Sequence, residues 1–232
     1  MLHIVSKILI TGTTSGIGFA AKEYFKQDHE IIGIAKSGLA HESNYTHYQQ
    51  DLARTSYISP LLNRITKEHK DIDCIILNAG FGIFKELDQF SESEIIELLN
   101  VNLLANILIT KALLPNLRNN PNSKIFFIGS EASIDGQKKG SIYCASKFGL
   151  RGFVLSLQKE LSKNNTQISL INPGMVKSNF YKKLNFTHGE SQENYINPID
   201  IIKIIDLMIE IGNSCLVEEV NLRPYKKVII KK

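Results

Sequence analysis

Short apolar runs alternate with longer amphipathic segments along most of this chain. The runs at 74–80, 124–130 and 167–174 are almost continuously apolar, which is typical of strands buried on both faces of a parallel sheet. Further strand-like runs lie at 7–11, 30–35, 48–51 and 215–224. Helical patterns occupy 16–27, 55–69, 91–118, 143–163 and 198–211. The alternation predicts an α/β fold in which helices cover a doubly wound parallel sheet of about seven strands.

The length and composition fit one domain with a solvated surface. The chain has 232 residues, 43% of them hydrophobic, which is enough for a single well-filled core spanning 1–232. Its net charge of +4 is spread along the sequence without an Arg/Lys run. We therefore expect no nucleic-acid partner.

The cysteines and the apolar segments bear on location. Cys74, Cys144 and Cys215 are an odd number without metal-ligand spacing, so we expect no disulfide framework and no bound metal. The apolar start MLHIVSKILI is interrupted by Lys7, is too short to span a bilayer and lacks a signal-peptide cleavage pattern. No other stretch is apolar over the required length. These features predict a cytoplasmic protein with no membrane partner.

Ligands of doubly wound sheets bind outside the carboxyl ends of the strands, so the residues after each run are candidate site residues. The first run leads into TGTTSGIG, where Gly12, Gly16 and Gly18 allow a tight turn and a close approach to a pyrophosphate. The helix that follows offers free N–H groups and a positive dipole end. A strand before the turn and a helix after it are the context that this motif requires.

The other strand ends also carry groups suited to a ligand. Small residues follow the fourth run at 78–80, where a cofactor can lie close to the backbone. Asp51, after the third run, can accept a hydrogen bond from an adenine amino group. Ser130 follows the fifth run, and Pro173 and Gly174 follow the sixth. Together these positions indicate a Rossmann-type dinucleotide site.

The end of the second run bears on the choice of cofactor. A site that prefers a free ribose 2′-OH usually has a carboxylate there, whereas this chain has Ala35 and then Lys36. A cation suits a 2′-phosphate, which favours NADP, with NAD possible. The alternative is that Lys36 is an ordinary exposed lysine. Ser15, where many NADP-using proteins have a basic residue, weakens the case for NADP.

The stretch SIYCASKFGL places Tyr143 and Lys147 one turn apart on the same face of a helix. A phenol with the ordinary pKa of about 10 is a poor acid or base at neutral pH. A fixed cation nearby lowers that pKa, and the pair can then move a proton to or from a substrate oxygen. The alternative is an amphipathic helix with a half-buried tyrosine and a solvated lysine.

In order and spacing, these pieces resemble the short-chain dehydrogenase/reductase family over residues 6–180. Ser130 precedes Tyr143 by 13 residues, as in many relatives. The remaining matches are TGTTSGIG at 11–18, Asp51, Leu52, Asn78, Ala79, Gly80, Val101, Asn102, Lys147 and PGMVKS at 173–178. The resemblance implies a single NAD(P)-binding Rossmann domain with NADP(H)-dependent oxidoreductase activity on a small-molecule carbonyl/alcohol pair.

The family's catalytic roles carry over to four residues. Tyr143 would be the general acid in reduction and the base in oxidation. Lys147 would hold the nicotinamide ribose hydroxyls and lower the Tyr143 pKa. Ser130 would orient the substrate, and Asn102 would hold a water that links Lys147 to solvent. Two other functions stay open, namely a non-catalytic cofactor sensor, which would lack catalytic residues, and an isomerase or dehydratase with a tightly held cofactor.

The resemblance also assigns a set of residues to the cofactor. In particular, the Val176 backbone and the Ser178 hydroxyl would hold the nicotinamide carboxamide. The full set is Gly12, Ser15, Gly16, Ile17, Gly18, Lys36, Asp51, Leu52, Asn78, Ala79, Gly80, Tyr143, Lys147, Pro173, Gly174, Val176 and Ser178.

The departures from the family pattern concern the substrate pocket. Glu131 directly follows Ser130, and several relatives have glycine at Ser133 and proline at Lys138. Lysines in this loop and in 179–197 would attract an anionic substrate, unless they point into solvent. These lysines are Lys138, Lys139, Lys182 and Lys183. Because few aromatic residues are expected to line the segment 179–197, the expected substrate is small, polar and carboxylated rather than steroid-like.

Two expectations concern larger-scale organisation. The polar segment 179–197 is expected to be a mobile lid over the substrate, because long loops in compact domains are usually functional. The helices at 91–118 and 143–163 have more apolar residues than one buried face needs. We therefore expect a homodimer or homotetramer packed through them.

Overall fold

A central sheet of seven parallel strands organises the chain in this computed structural model, which describes residues 7–38, 42–118, 120, 122–162, 166–211 and 215–232. The described residues form nine strands, of which β7 and β9 make a separate pair: β1 Lys7–Thr11, β2 Glu30–Ala35, β3 Tyr45–Gln49, β4 Cys74–Leu77, β5 Lys124–Ile128, β6 Gln167–Pro173, β7 Phe186–His188, β8 Glu219–Leu222 and β9 Ile229–Lys231. The sheet order is β3-β2-β1-β4-β5-β6-β8, with every neighbouring pair parallel. This topology confirms the predicted fold class.

The described residues form six α-helices, five of which pack on the two faces of the sheet. They are α1 Gly16–Phe25, α2 Ile58–Glu68, α3 Glu92–Leu99, α4 Ala105–Arg118, α5 Ser141–Glu160 and α6 Pro198–Glu210. Apolar residues of α2, α4 and α5 pack with one face of the sheet. Those of α1 and α6 pack with the other face. Because both faces are covered, strands such as β1 and β5 are buried along their whole length, which explains their continuous apolar sequence.

The third strand and the long middle helix differ from the sequence prediction. β3 begins three residues before the expected start, because Tyr45 and Tyr48 supply its buried positions instead of an aliphatic run. The helix predicted over 91–118 begins with the expected capping box of Ser91 and Glu94. A π-helical turn over Asn100–Leu104 then separates α3 from α4. Residues 1–6 of the apolar start and residue 163 of the helix predicted over 143–163 lie outside the described residues.

The helical segment Glu92–Arg118 is long and apolar enough to cross a membrane by length and composition alone. This corrects the expectation that no such stretch exists. Its buried residues Ala105, Ile109, Leu113 and Leu117 belong to the core that packs on the sheet. That packing is the role of a core helix in a globular domain, so the finding is weak evidence for a membrane span.

The segment 179–197 contains short elements of its own. A 3₁₀ turn spans Asn179–Lys183, and β7 pairs antiparallel with β9 near the C-terminus. Tyr181, Leu184 and Asn194 are buried. The strand β9 was not predicted, because its pairing partner lies about forty residues away along the chain and leaves no local signal.

Candidate active site

The Gly-rich turn after β1 has the backbone conformation that its glycines allow. Gly12 and Gly16 have φ angles of 76° and 59°, in the left-handed region that side chains with a Cβ avoid. A Cβ on Gly18 would lie 2.3 Å from the carbonyl oxygen of Gly12. Ser15 occupies the N-cap of α1 without a side-chain capping bond, and Ile17 packs at the edge of the core. The turn therefore presents open backbone at a helix N-terminus, as a dinucleotide pyrophosphate requires.

The residues after β4 are tied to this turn. Thr11 Oγ1 accepts hydrogen bonds from the backbone N–H groups of Asn78 and Ala79, each at 3.0 Å. The Asn78 side chain donates to the Thr11 carbonyl at 3.0 Å. A Cβ on Gly80 would lie 3.2 Å from Asn102 Oδ1 and 3.7 Å from Lys147 Nζ. The close packing at Gly80 thus joins the cofactor turn to the predicted catalytic residues.

Asn102 lies in the π-helical turn and is fully buried. Its Oδ1 accepts from the Phe81 N–H at 3.1 Å, and its Nδ2 donates to the Phe81 carbonyl at 2.9 Å. Nδ2 also donates to Ser146 Oγ at 3.2 Å. These bonds hold the loop after β4 against α5. π-Helical turns inside α-helices are frequent at functional sites.

Ser130, Tyr143 and Lys147 come together at the end of β5. Ser130 caps the short turn that follows β5, and its side chain is hydrogen-bonded to Tyr143. Lys147 Nζ donates to the Ile128 carbonyl at 3.0 Å. Tyr143 and Lys147 are both buried, so the interpretation of Lys147 as a solvated lysine is wrong.

The pKa of Tyr143 shifts in the direction opposite to the expected one. Burial raises it to about 12, although the hydrogen bond from Ser130 lowers it and the charges at Cys144 and Glu131 add to the rise. Burial also lowers the pKa of Lys147 to about 8. The expected lowering of the Tyr143 pKa by Lys147 is therefore not observed. The reason is that burial penalises the charged form of both groups.

Lys36 and Asp51 form an ion pair beyond the ends of β2 and β3. Lys36 Nζ lies 2.8 Å from Asp51 Oδ2, and Asp51 Oδ1 accepts from the Ala53 N–H at 3.0 Å. The hydrogen bond to Asp51 and its charge raise the pKa of Lys36. Leu52 is buried in the core beside this pair. Lys36 is exposed but paired, so neither of its sequence-based interpretations describes it fully.

The segment after β6 reaches across to the Gly-rich turn. A Cβ on Gly16 would lie 3.4 Å from Ser178 Cβ. Ser178 Oγ accepts from the Phe180 N–H at 3.3 Å, and Val176 forms a parallel bridge with Ile196. Pro173 closes β6 and Gly174 follows it. The structure therefore brings all the predicted cofactor residues to one edge of the sheet.

Aromatic rings surround Tyr143, which the sequence analysis missed. The Tyr143 ring centroid lies 5.2 Å from that of Phe84 and 5.9 Å from that of Phe180. Phe186 lies 5.1 Å from Phe84 and packs with Tyr181. The expectation that few aromatic residues line the lid is wrong. The sequence of 180–186 contains these aromatic residues, but only the fold brings their rings close to Tyr143.

The four lysines expected to attract an anion are exposed. Lys139 Nζ lies 3.5 Å from Glu86 Oε1. Glu131 pairs instead with Lys227, a residue that the sequence analysis did not consider, at 2.7 Å. The predicted convergence of the four lysines on one cleft is thus not seen among the described residues.

A family profile described as short chain dehydrogenase matches residues 6–188. The chain belongs to this family. The chain is 29% identical to a sepiapterin reductase from Chlorobaculum tepidum over 97% of both chains. It is 31% identical to a ketoacyl reductase from Nostoc, covering 73% of this chain and 63% of that protein.

Solved structures agree with the family assignment. An alcohol dehydrogenase from Thermococcus sibiricus complexed with 5-hydroxy-NADP is similar with a TM-score of 0.85 and 25% identity, over 96% of this chain and 98% of that one. A 4-hydroxyisoleucine dehydrogenase complexed with NADH has the same fold, with a TM-score of 0.84 and 20% identity over 94% and 97% of the two chains. The cofactor expectation of NADP, with NAD possible, agrees with these bound nucleotides. The short-chain dehydrogenase assignment makes this chain a member of an oxidoreductase family.

Proposed function

We propose that this short-chain dehydrogenase is an NADP(H)-dependent oxidoreductase that interconverts a carbonyl and an alcohol, with Tyr143 as the acid/base. The observation that carries the proposal is the meeting of Ser130, Tyr143 and Lys147 at the carboxyl end of β5, beside the Gly-rich turn. A bound nicotinamide supplies or accepts the hydride. The residues that would hold the cofactor are those of the Gly-rich turn, the loop after β4 and the segment after β6.

The chain's own residues would handle the oxygen of the substrate. Ser130 Oγ would orient the carbonyl by donating a hydrogen bond to it. A pKa of about 12 keeps Tyr143 protonated at neutral pH, so its Oη can donate a proton to the oxygen during reduction. Lys147 Nζ lies one turn further along α5 and would return a proton to Tyr143. Asn102 would support this relay by holding the backbone around Phe81.

NADP preference is part of the proposal and rests on Lys36. The residue that follows β2 is not acidic, and Lys36 supplies a positive charge for a 2′-phosphate. Asp51 would bind the adenine end and share Lys36 with the phosphate. The NADP bound to a similar metagenomic short-chain oxidoreductase is consistent with this assignment.

The test is a screen of carbonyl compounds with NADPH oxidation as the readout. We expect Tyr143→Phe to lower kcat by about 10²- to 10⁴-fold and to leave the Kd for NADPH unchanged, because only the proton donor is lost. Tyr57→Phe is the matched control, since Tyr57 is exposed and is not one of the proposed site residues. A Tyr143→Phe variant with near wild-type turnover would exclude Tyr143 as the acid/base. Cofactor that co-purifies without a net change in absorbance would favour an isomerase or dehydratase.

Three further proposals concern assembly and surroundings. The segment 179–197 would act as a lid, because it carries Phe180 and Tyr181 to the rings around Tyr143.

The exposed side chains of Ile96, Leu104 and Phe148 would pack in a homodimer or homotetramer. The protein would work in the cytoplasm. Light scattering that shows only monomer at micromolar concentration would refute the oligomer.

A further inference from the structure

A cavity of about 280 Å³ is lined by Glu131, the residue after Ser130, and by side chains of both charges. One wall carries the carboxylates of Glu131 and Asp135, from the segment that directly follows Ser130. The other wall carries the cations Arg223 and Lys227, from the C-terminal segment. Glu131 directly follows the proposed catalytic Ser130 in the chain, so this charged cavity is a candidate for substrate recognition.

Glu131 is held in this cavity by an ion pair with Lys227. Its Oε1 accepts a hydrogen bond from Lys227 Nζ at 2.7 Å. Its Oε2 lies 3.3 Å from the position that a Cβ on Gly174 would take. Within the described part of the chain, Oε2 has no hydrogen-bond donor, so it is available to a ligand. This oxygen therefore lies next to Gly174, just before the residues assigned to the nicotinamide.

The C-terminal segment is positioned well enough to hold Glu131. The Lys226 N–H donates to the Glu193 carbonyl at 2.8 Å, and Asn194 Nδ2 donates to the Lys226 carbonyl at 2.8 Å. The pairing of β7 with β9 anchors the residues that follow. Lys227 thus approaches Glu131 from a segment fixed at both ends.

The negative charge of Glu131 affects the pKa of Tyr143, the proposed acid. Burial is the main cause of the raised pKa of Tyr143, and the negative charge of Glu131 adds to it. The same charge contributes to the raised pKa of the buried Tyr181, where burial is again the main cause. Glu131 is therefore part of the electrostatic environment of the site, unlike the four exposed lysines.

We propose that Glu131 determines substrate specificity, and that it selects carbonyl compounds whose neighbouring carbon carries an ammonium or N–H group. This inference rests on the proposed function. Ser130 would bind the carbonyl oxygen, and the adjacent residue, Glu131, would accept a hydrogen bond from the neighbouring donor through Oε2. Lys227 keeps the carboxylate oriented. A carboxylate at the same place on the substrate is repelled, which replaces the earlier expectation of an anionic substrate.

Two small ketones of equal heavy-atom count, aminoacetone and 2-butanone, test the proposal with NADPH oxidation. The readout is the ratio of their kcat/KM values, which does not depend on the fraction of each variant that is folded. We expect Glu131→Gln to lower the ratio by about 10- to 100-fold, since a charge-assisted hydrogen bond becomes a neutral one. We expect added salt to lower the wild-type ratio and to have little effect on the ratio of Glu131→Gln.

Asp135→Asn is the matched control, because Asp135 is an exposed carboxylate of the same cavity. We expect this variant to keep most of the wild-type ratio. An unchanged ratio in Glu131→Gln, or an equal loss in Asp135→Asn, would overturn the assignment to Glu131. If the wild type reduces ketones without favouring aminoacetone, this inference alone fails. If the carbonyl screen finds no reducible compound, the proposed function fails with it.

Discussion

Replacing Gly18 with alanine tests how tightly the Gly-rich turn is packed. A Cβ at this position would lie 2.3 Å from the Gly12 carbonyl oxygen and 2.4 Å from Asn78 Nδ2. Neither group can move freely. The Gly12 N–H donates to the Ile34 carbonyl at 2.8 Å, and Asn78 Nδ2 is bonded to the Thr11 carbonyl. The variant must therefore displace the turn or the start of α1.

The cost follows from the size of the overlap. Overpacking by one carbon costs about 1–3 kcal/mol. In a domain of this size each kcal/mol shifts Tm by about 2–4 °C, so we expect Gly18→Ala to lower Tm by about 2–12 °C. The displaced turn should also raise the Kd for NADPH. Thermal unfolding followed by circular dichroism and a fluorescence titration with NADPH measure the two effects.

Gly152→Ala provides the matched control for this prediction. Gly152 lies within α5, and a Cβ there would meet nothing within 4 Å. Alanine should therefore stabilise the helix by up to about 1 kcal/mol. A Gly18→Ala variant that unfolds at or above the wild-type Tm, with an unchanged Kd for NADPH, would refute the argument from close packing.

Two further predictions concern the lysines of the site. Lys36→Ala should raise the Kd for NADPH and leave that for NADH nearly unchanged in fluorescence titrations; equal effects would show that Lys36 does not bind the 2′-phosphate. Lys147→Met should abolish turnover yet raise the free energy of unfolding at pH 7 by about 1–2 kcal/mol. The pKa of about 8 shows that burial of the Lys147 cation destabilises the folded state, and the variant removes this cost. Loss of the hydrogen bond to the Ile128 carbonyl offsets part of the gain. Because the folded pKa lies below the ordinary value of 10.5, the unfolded chain binds more protons above pH 8. Wild-type stability should therefore rise between pH 8 and 10, a rise that denaturant titrations should not find in Lys147→Met.

The sequence was most informative where the signal lies within one element. The continuous apolar runs of β4, β5 and β6 predicted buried parallel strands, because burial on both faces leaves no polar position. The positions of Gly12 and Gly16 predicted the turn, because only glycine readily adopts its positive φ angles. The four-residue spacing of Tyr143 and Lys147 predicted a shared helix face. These features depend on local geometry that any fold containing the element preserves.

Local patterns also misplaced some boundaries. The expected third strand lies partly beyond β3, because its buried positions are occupied by tyrosines that the apolar-run criterion does not detect. The helix predicted over 91–118 contains the π-helical turn around Asn102. Nothing in the apolar periodicity marks that turn, since it is stabilised by the bonds of Asn102 to Phe81 and Ser146 on other segments.

Tertiary structure alone decided the chemistry of the site. Helical spacing placed Lys147 near Tyr143, but the direction of the Tyr143 pKa shift depends on burial, to which the rings of Phe84 and Phe180 contribute. The pairing of Glu131 with Lys227 joins residues 96 positions apart. Charges and rings act through space over a few ångströms, and the distance between two side chains from different elements is set by the packing of the whole sheet. The sequence therefore determined the fold and the family, whereas the environment of the predicted catalytic residues emerged only from the folded chain.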